Sequence, residues 1–141
     1  MKLYVVENDK QLEDAFQVRR EVFVKEQGVP IELEIDDKEQ DATHFIGYVE
    51  DKPIAASRVR FGDDYVKLER ICIMKSVRGK HFGKDLVLFM ESYAKEKNIT
   101  KSKLHAQVYA IPFYEKLGYV VTSGEFDDAG IPHVSMKKEF N

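Results

Sequence analysis

One segment narrows the folds open to this chain more than any other. Ile71-Cys72-Ile73 is an apolar, β-branched run, and Met74 to Gly83 follows with Lys75, Arg78, Lys80 and two glycines. Phe82, Leu86, Phe89, Met90 and Tyr93 then recur at helical spacing and predict a helix ending near Asn98. A further strand, Lys103 to Gln107, comes next. A helix crossing between two strands implies that they lie parallel, here the strand ending at Ile73 and the one starting near Lys103. The turn before that helix aims unpaired N–H groups and the positive end of the helix dipole at one point, where a pyrophosphate would sit well. Gly79 and Gly83 either let the backbone approach a ligand or serve close helix–sheet packing. The turn lacks the Gly-Lys-Ser/Thr ending of a Walker loop and the glycine spacing of a dinucleotide fingerprint.

Around this unit the pattern predicts one domain over 1–141. Leu3 to Val6 reads as a strand, and Asn8 with Gln11 reads as a capping box opening a helix to about Lys25. Gly28 and Pro30 break that helix, and Ile31 to Thr43 is a short helix or a loop. His44 to Val49, Ile54 to Phe61 and Tyr65 to Ile73 predict an antiparallel meander. A short helix, Pro112 to Leu117, stops at Gly118, and strands Tyr119 to Ser123 and His133 to Lys138 close the chain. The expected class is α+β: a mixed, mostly antiparallel central sheet flanked by helices.

With 141 residues and 43% apolar content, the chain can bury a core without metals or disulfides. Cys72 is alone, and the four histidines lack zinc-ligand spacing, so no metal is expected. A net charge of −3 opposes nucleic acid as the main partner. No apolar run is long enough for a membrane span, and Met1 to Glu7 turns acidic too early for a signal peptide, so a cytoplasmic location is expected. Residues 32–41 carry six acids and one lysine, which reads as a solvated loop or as an acidic lip attracting a cationic acceptor.

At Arg78-Gly79-Lys80-His81-Phe82-Gly83 the sequence resembles the GNAT acetyltransferases, whose turn reads Arg/Gln-x-x-Gly-x-Gly/Ala, with His81 in place of the middle glycine. A second stretch, Gln107 to Tyr119 with Ala110, Tyr114 and Gly118, is similar to that superfamily's Asn-x-x-Ala-x-x-x-Tyr-x-x-x-Gly-Phe element. Arg19 to Gln27 and Ala129 to His133 resemble a subgroup of small bacterial members, so nearly the whole chain is covered. The resemblance implies the acyl-CoA acyltransferase fold and direct transfer of acetyl from acetyl-CoA to a primary amine, on a small molecule or a peptide. It also implies that Ile71, Cys72 and Ile73 pair with the pantetheine arm. Arg78, Gly79, Lys80, His81, Phe82, Gly83 and Lys84 would hold the pyrophosphate, with Gln107 also at the cofactor. Homodimers are frequent in the superfamily.

The chemistry requires a neutral amine, and a lysine-like amine at pH 7 lies about 4.6 kcal/mol from that form. Glu69 is the candidate base, expected to be raised in pKa if buried, or else paired at the surface with Lys67 or Arg70. Tyr114 is the candidate acid for the departing thiolate, by resemblance; an aromatic there otherwise reads as core. Arg19, Phe23 and Gln27 are candidates for the acceptor pocket. His133 and His44 read as pocket-lining or ordinary strand residues. Cys72 reads as a small core residue or, less consistently with direct transfer, an acyl carrier. The competing class is an acyl-CoA-binding sensor module without turnover.

Overall fold

The computed structural model describes residues 1–140. Strand β1 (Lys2–Val5) leads to α1 (Asp9–Arg19), which continues without a break as a π-helical stretch, Arg20–Glu26. The Asn8 side chain accepts from the Gln11 N–H, and the Gln11 side chain accepts from the Glu7 N–H, so the helix opens as its sequence predicts. A short α2 (Ile31–Glu34) follows. The meander β2 (Thr43–Val49), β3 (Lys52–Phe61) and β4 (Val66–Ile73) is antiparallel throughout. Then come α3 (Phe82–Glu96), β5 (Lys101–Gln107), α4 (Ile111–Lys116), β6 (Val120–Val121), β7 (Phe126–Asp128) and β8 (Ile131–Glu139).

The strands form one sheet in the order β1-β2-β3-β4-β5-β8-β6, with β7 paired to β8. Only β4 and β5 are parallel, as the crossover through α3 requires. Helix α3 buries Leu86, Val87, Met90 and Ala94 against one face, together with Phe45, Leu68, Leu104 and Met136. On the other face Ala15, Val18 and Val22 meet Ile46, Ala56 and Cys72. The sheet is therefore covered twice around β3 and β4.

Two irregularities in β4 shape everything that follows. Its pairing with β5 stops after Leu68↔Leu104, although both strands run on. Its register with β3 shifts between Ala56↔Cys72 and Arg58↔Glu69, and Arg70, at the extra position, has φ +57°. A bulge of this kind bends a strand and inverts its alternation. Val66 and Leu68 face α3 before it; Ile71 and Ile73 do so after it, and Cys72 faces α1.

Candidate active site

Where β4 parts from β5, a cleft of about 510 Å³ opens, walled by Phe23 and Gln27 from the π-helical stretch, Arg58 from β3, Glu69 from β4, Gln107 from β5 and Tyr114 from α4. The Gln107 amide donates to Gln27 across it at 2.8 Å. π-helical segments are rare and concentrate at functional sites. Here the wider turn, with Gln27 N–H reaching back to Val22, carries Phe23 and Gln27 over the cleft.

The backbone of β4 offers a hydrogen-bonding edge to this gap. Met74 N–H bonds to Ile54 on β3, and Cys72 is in register with Ala56 two residues earlier. By strand alternation Ile73, between them, turns its N–H and C=O to the gap. Its carbonyl accepts from Arg78 Nε at 3.0 Å, while the N–H is left without a β3 partner. Cys72 gives its backbone to β3 and its side chain to the α1 core, and of the three predicted strand residues Ile71 lines the cleft while Cys72 and Ile73 are not among its lining residues. Burial also pushes the Cys72 thiol up to about 12, which leaves no thiolate to carry an acyl group.

The turn after β4 folds into the arrangement its residues suggest, with one reassignment. Gly79 has φ +84°, and His81, where the superfamily has glycine, takes φ +65° as the residue before α3. Histidine is among the residues that tolerate this left-handed region. The first intrahelical bond is from Asp85 N–H to His81 C=O, so the N–H groups of Phe82, Gly83 and Lys84 point outward without helical partners. Lys80 and Lys84 are exposed and make no ion pair among the described residues. Gly83 serves packing: a Cβ there would lie 3.2 Å from Phe113. Arg78 is spent elsewhere, with both terminal nitrogens on the Glu26 carboxylate at 2.6 Å. The amides of residues 82–84 and the two lysines are thus the groups without partners here, and Arg78 ties the turn to the end of the π-helical stretch.

Glu69 corrects the expectation for it. Its carboxylate receives Arg58 Nε at 3.0 Å, Arg60 Nε at 2.7 Å and Lys67 Nζ at 3.4 Å, while Arg70 turns away to Glu34 and Asp36. Burial opposes its charge, but the Arg60 hydrogen bonds and the fields of Arg58, Lys67 and Arg60 outweigh it and hold the pKa at about 2. Such a carboxylate is a weak direct base.

The acidic stretch 32–41 is neither a solvated loop throughout nor an acidic lip. Glu34 is buried against Arg19 at 3.0 Å and Arg70 at 2.8 Å; Asp36 takes a bidentate bond from Arg58; Glu39 takes Arg19 and Arg58. Buried guanidinium groups demand such partners. Arg19 is therefore fully buried against Glu34 and Glu39 and is not among the residues that line the cleft. Glu32, Asp37 and Asp41 stay exposed. Arg58 and Arg60 are among the cleft residues the sequence reading missed; two arginines at i and i+2 in a mostly apolar strand were their signal.

Tyr114 is buried, lines the cleft and stacks edge-on with Phe113 and Tyr119. Burial raises its pKa, so it stays protonated and able to donate. His133 also lines the cleft, with Nδ1 2.7 Å from the Ile131 carbonyl. His44 lies outside it, with Nε2 2.8 Å from the Glu39 carbonyl, and burial lowers its pKa. No grouping of three or more His, Cys, Asp or Glu suited to a metal occurs among the described residues. None of their helices is long and apolar enough to cross a membrane.

Comparison with known proteins agrees with this geometry. The family model for the acetyltransferase (GNAT) domain matches residues 6–140. YjcF of Bacillus subtilis (strain 168), named as an uncharacterised N-acetyltransferase, is 47% identical over 140 residues, covering 99% of this chain and 100% of its own. An acyl-CoA N-acyltransferase from Pseudomonas aeruginosa superposes with a TM-score of 0.87 at 24% identity, covering 98% and 99% of the two chains. The PaiA N-acetyltransferase from Thermoplasma acidophilum, crystallised with coenzyme A, superposes at 0.74 with 18% identity, covering 99% and 100%. A parted parallel pair, a left-handed turn and a helix start open to anions are thus joined to a match along almost the whole sequence, and the chain belongs to the GNAT acetyltransferase family.

Proposed function

We propose that the protein transfers an acetyl group from acetyl-CoA directly to a primary amine in a ternary complex. The observation that carries this reading is the gap between β4 and β5, taken with the Ile73 N–H that strand alternation turns away from β3 and with the amides of residues 82–84, which open α3 without helical partners. Those groups fit a thioester with a long amide-bearing arm and a diphosphate: Ile71 and Ile73 would align the arm, and Gly79 to Lys84 would take the charge. The crystallised coenzyme A complex of the PaiA protein, which shares this fold, supports the same use of the cleft.

The roles follow from the environments. The Ile73 N–H polarises the acyl carbonyl as negative charge develops on its oxygen. Tyr114, kept protonated by burial, donates to the departing sulfur; the same burial raises that sulfur's own demand for a proton. Glu69, at about 2, orients water or the amine, and the proton leaves through solvent in the cleft. A sensor module draws on the same weak base: a cleft that binds the thioester but holds Glu69 at about 2 would bind without turnover.

Thiol release measured over a panel of primary amines, beside calorimetric binding of acetyl-CoA, separates these two. Tyr114→Phe is expected to lower kcat by about 10²-fold or more while leaving acetyl-CoA affinity within about threefold. Tight binding with no thiol release for any amine, and no difference in Tyr114→Phe, selects the sensor.

A further inference from the structure

The pairing registers bring four cations into one line across the sheet. Arg60 on β3 lies opposite Lys67 on β4, Lys67 opposite Lys103 on β5, and Lys103 opposite Lys137 on β8. Residues directly opposite share a face, so the four side chains project together, and at about 4.8 Å per strand the row is roughly 14 Å long. Like charges directly opposite one another in a sheet disfavour the fold. Neutralisation is confined to one end. Glu69 is shared by Arg58, Arg60 and Lys67, and Lys103 lies 4.2 Å from the Tyr65 ring, whereas Lys137 makes no ion pair among the described residues. Lys103 and Lys137 are exposed, and α1 covers β2 to β4 but not this part of the face.

The row begins inside the cleft, since Arg60 and Lys67 are among its walls. Most of the cleft's carboxylates are already taken by the protein's own cations. Glu34, Asp36 and Glu69 are each bound by two or more cations, which leaves Asp128 as the one lining carboxylate without an ion pair among the described residues. Donors are left over instead: Arg60 and Arg70 each make their bonds through Nε and one terminal nitrogen, leaving the other free.

We infer that the acceptor is a primary amine carried on a carboxylate-rich molecule, an acidic peptide being the form that fills the row, with its amine in the cleft and its carboxylates on Lys67, Lys103 and Lys137. The inference rests on the acetyltransferase reading above for the position of the amine, but the charge preference can be measured without transfer.

The test uses the full chain with four amines: Gly-Glu-Glu, Gly-Lys-Lys amide, 5-aminopentanoate and 1,5-diaminopentane. Thiol release with acetyl-CoA gives kcat/KM, and calorimetry in the presence of coenzyme A gives binding alone. Gly-Glu-Glu is expected to exceed Gly-Lys-Lys amide by about tenfold or more at low salt, with the advantage shrinking as salt rises. 5-Aminopentanoate should exceed the diamine by a smaller factor, because it reaches only the inner end of the row. In Lys103→Gln/Lys137→Gln the acidic peptide's advantage should fall to about threefold or less, without a drop in Tm, since the exchange removes repulsion. A calorimetric preference for the acidic peptide without thiol release keeps this inference and removes the proposed transfer. Thiol release that is equal or faster with the basic amines, or no binding by any of the four, overturns it.

Discussion

Glu69 illustrates how little a residue's type says about its chemistry until its neighbours are known. From the sequence, a carboxylate in a β-branched strand invites the role of base, with burial raising its pKa. The structure supplies the burial and three cations besides, and the cations win. This has a consequence for stability. A glutamate near 4.3 in the unfolded chain and about 2 when folded stabilises the fold fully above the unfolded value, and that contribution is lost as pH falls through the folded one. The shift is worth about 3 kcal/mol near neutral pH. Denaturant unfolding of wild type and Glu69→Gln should therefore differ by about that amount at pH 7 and converge as the pH approaches about 2. A gap that stays constant across the range would mean that Glu69 acts through packing and not charge. The same cations were individually legible as Arg58, Arg60 and Lys67, but their convergence was not. Contacts between residues 58, 60 and 69 depend on the β3–β4 register, and Arg58 to Asp36 depends on how a polar loop folds back over the sheet.

At the scale of elements, the β–α–β unit, the meander and the short helix carrying Tyr114 were readable because each follows from local rules: period, caps and crossover connection. What escaped was every departure from regularity. The π-helical stretch Arg20–Glu26 has the same apolar spacing as an α-helix, and β7 is hidden in the turn-rich residues before β8. The bulge at Arg70 leaves no mark in Glu69-Arg70-Ile71 beyond a break in alternation. The turn before α3 lies between these cases. Its position was plain, yet His81 looked like the loss of a glycine that the phosphate site requires. With φ +65°, His81 supplies the conformation that glycine would, at a left-handed cost of about 1–2 kcal/mol, while glycine would bring an entropic cost of about 0.5–1 kcal/mol. These nearly offset each other. His81→Gly should accordingly change unfolding free energy by no more than about 1 kcal/mol and acetyl-CoA affinity by less than about threefold. His81→Val, β-branched and poorly tolerated at positive φ, should weaken both stability and binding. If glycine instead strengthened binding about tenfold, the histidine side chain, and not the backbone, would be obstructing the site.

For the whole molecule, the parting of β4 from β5 divides the sheet into two halves joined by a short seam. Residues 66–68 pair with 102–104, α3 packs beneath, and beyond Leu68 no ladder pairing joins β4 to β5 among the described residues. The edges that face each other across the gap are therefore open to local fluctuation in a way that the ladder-bonded pairs are not. A ligand that fills the gap bonds to the folded state alone and adds the missing connection between the halves. Saturation at about 100 times Kd is worth roughly 2.7 kcal/mol, which for a domain of this size should raise Tm by several degrees. Where the protection falls is more telling than its size. Hydrogen exchange should slow at the Ile73 amide, which faces the gap, and at the amides of Phe82, Gly83 and Lys84, which open α3 without helical partners. Met74, already bonded to Ile54, should change only with the global stability. That contrast between neighbouring residues on one strand distinguishes a ligand threaded along β4 from one that merely settles on the surface. Uniform slowing across residues 71–84 would indicate general stiffening, and slowing confined to residues 82–84 would indicate a bound diphosphate without its arm in the sheet.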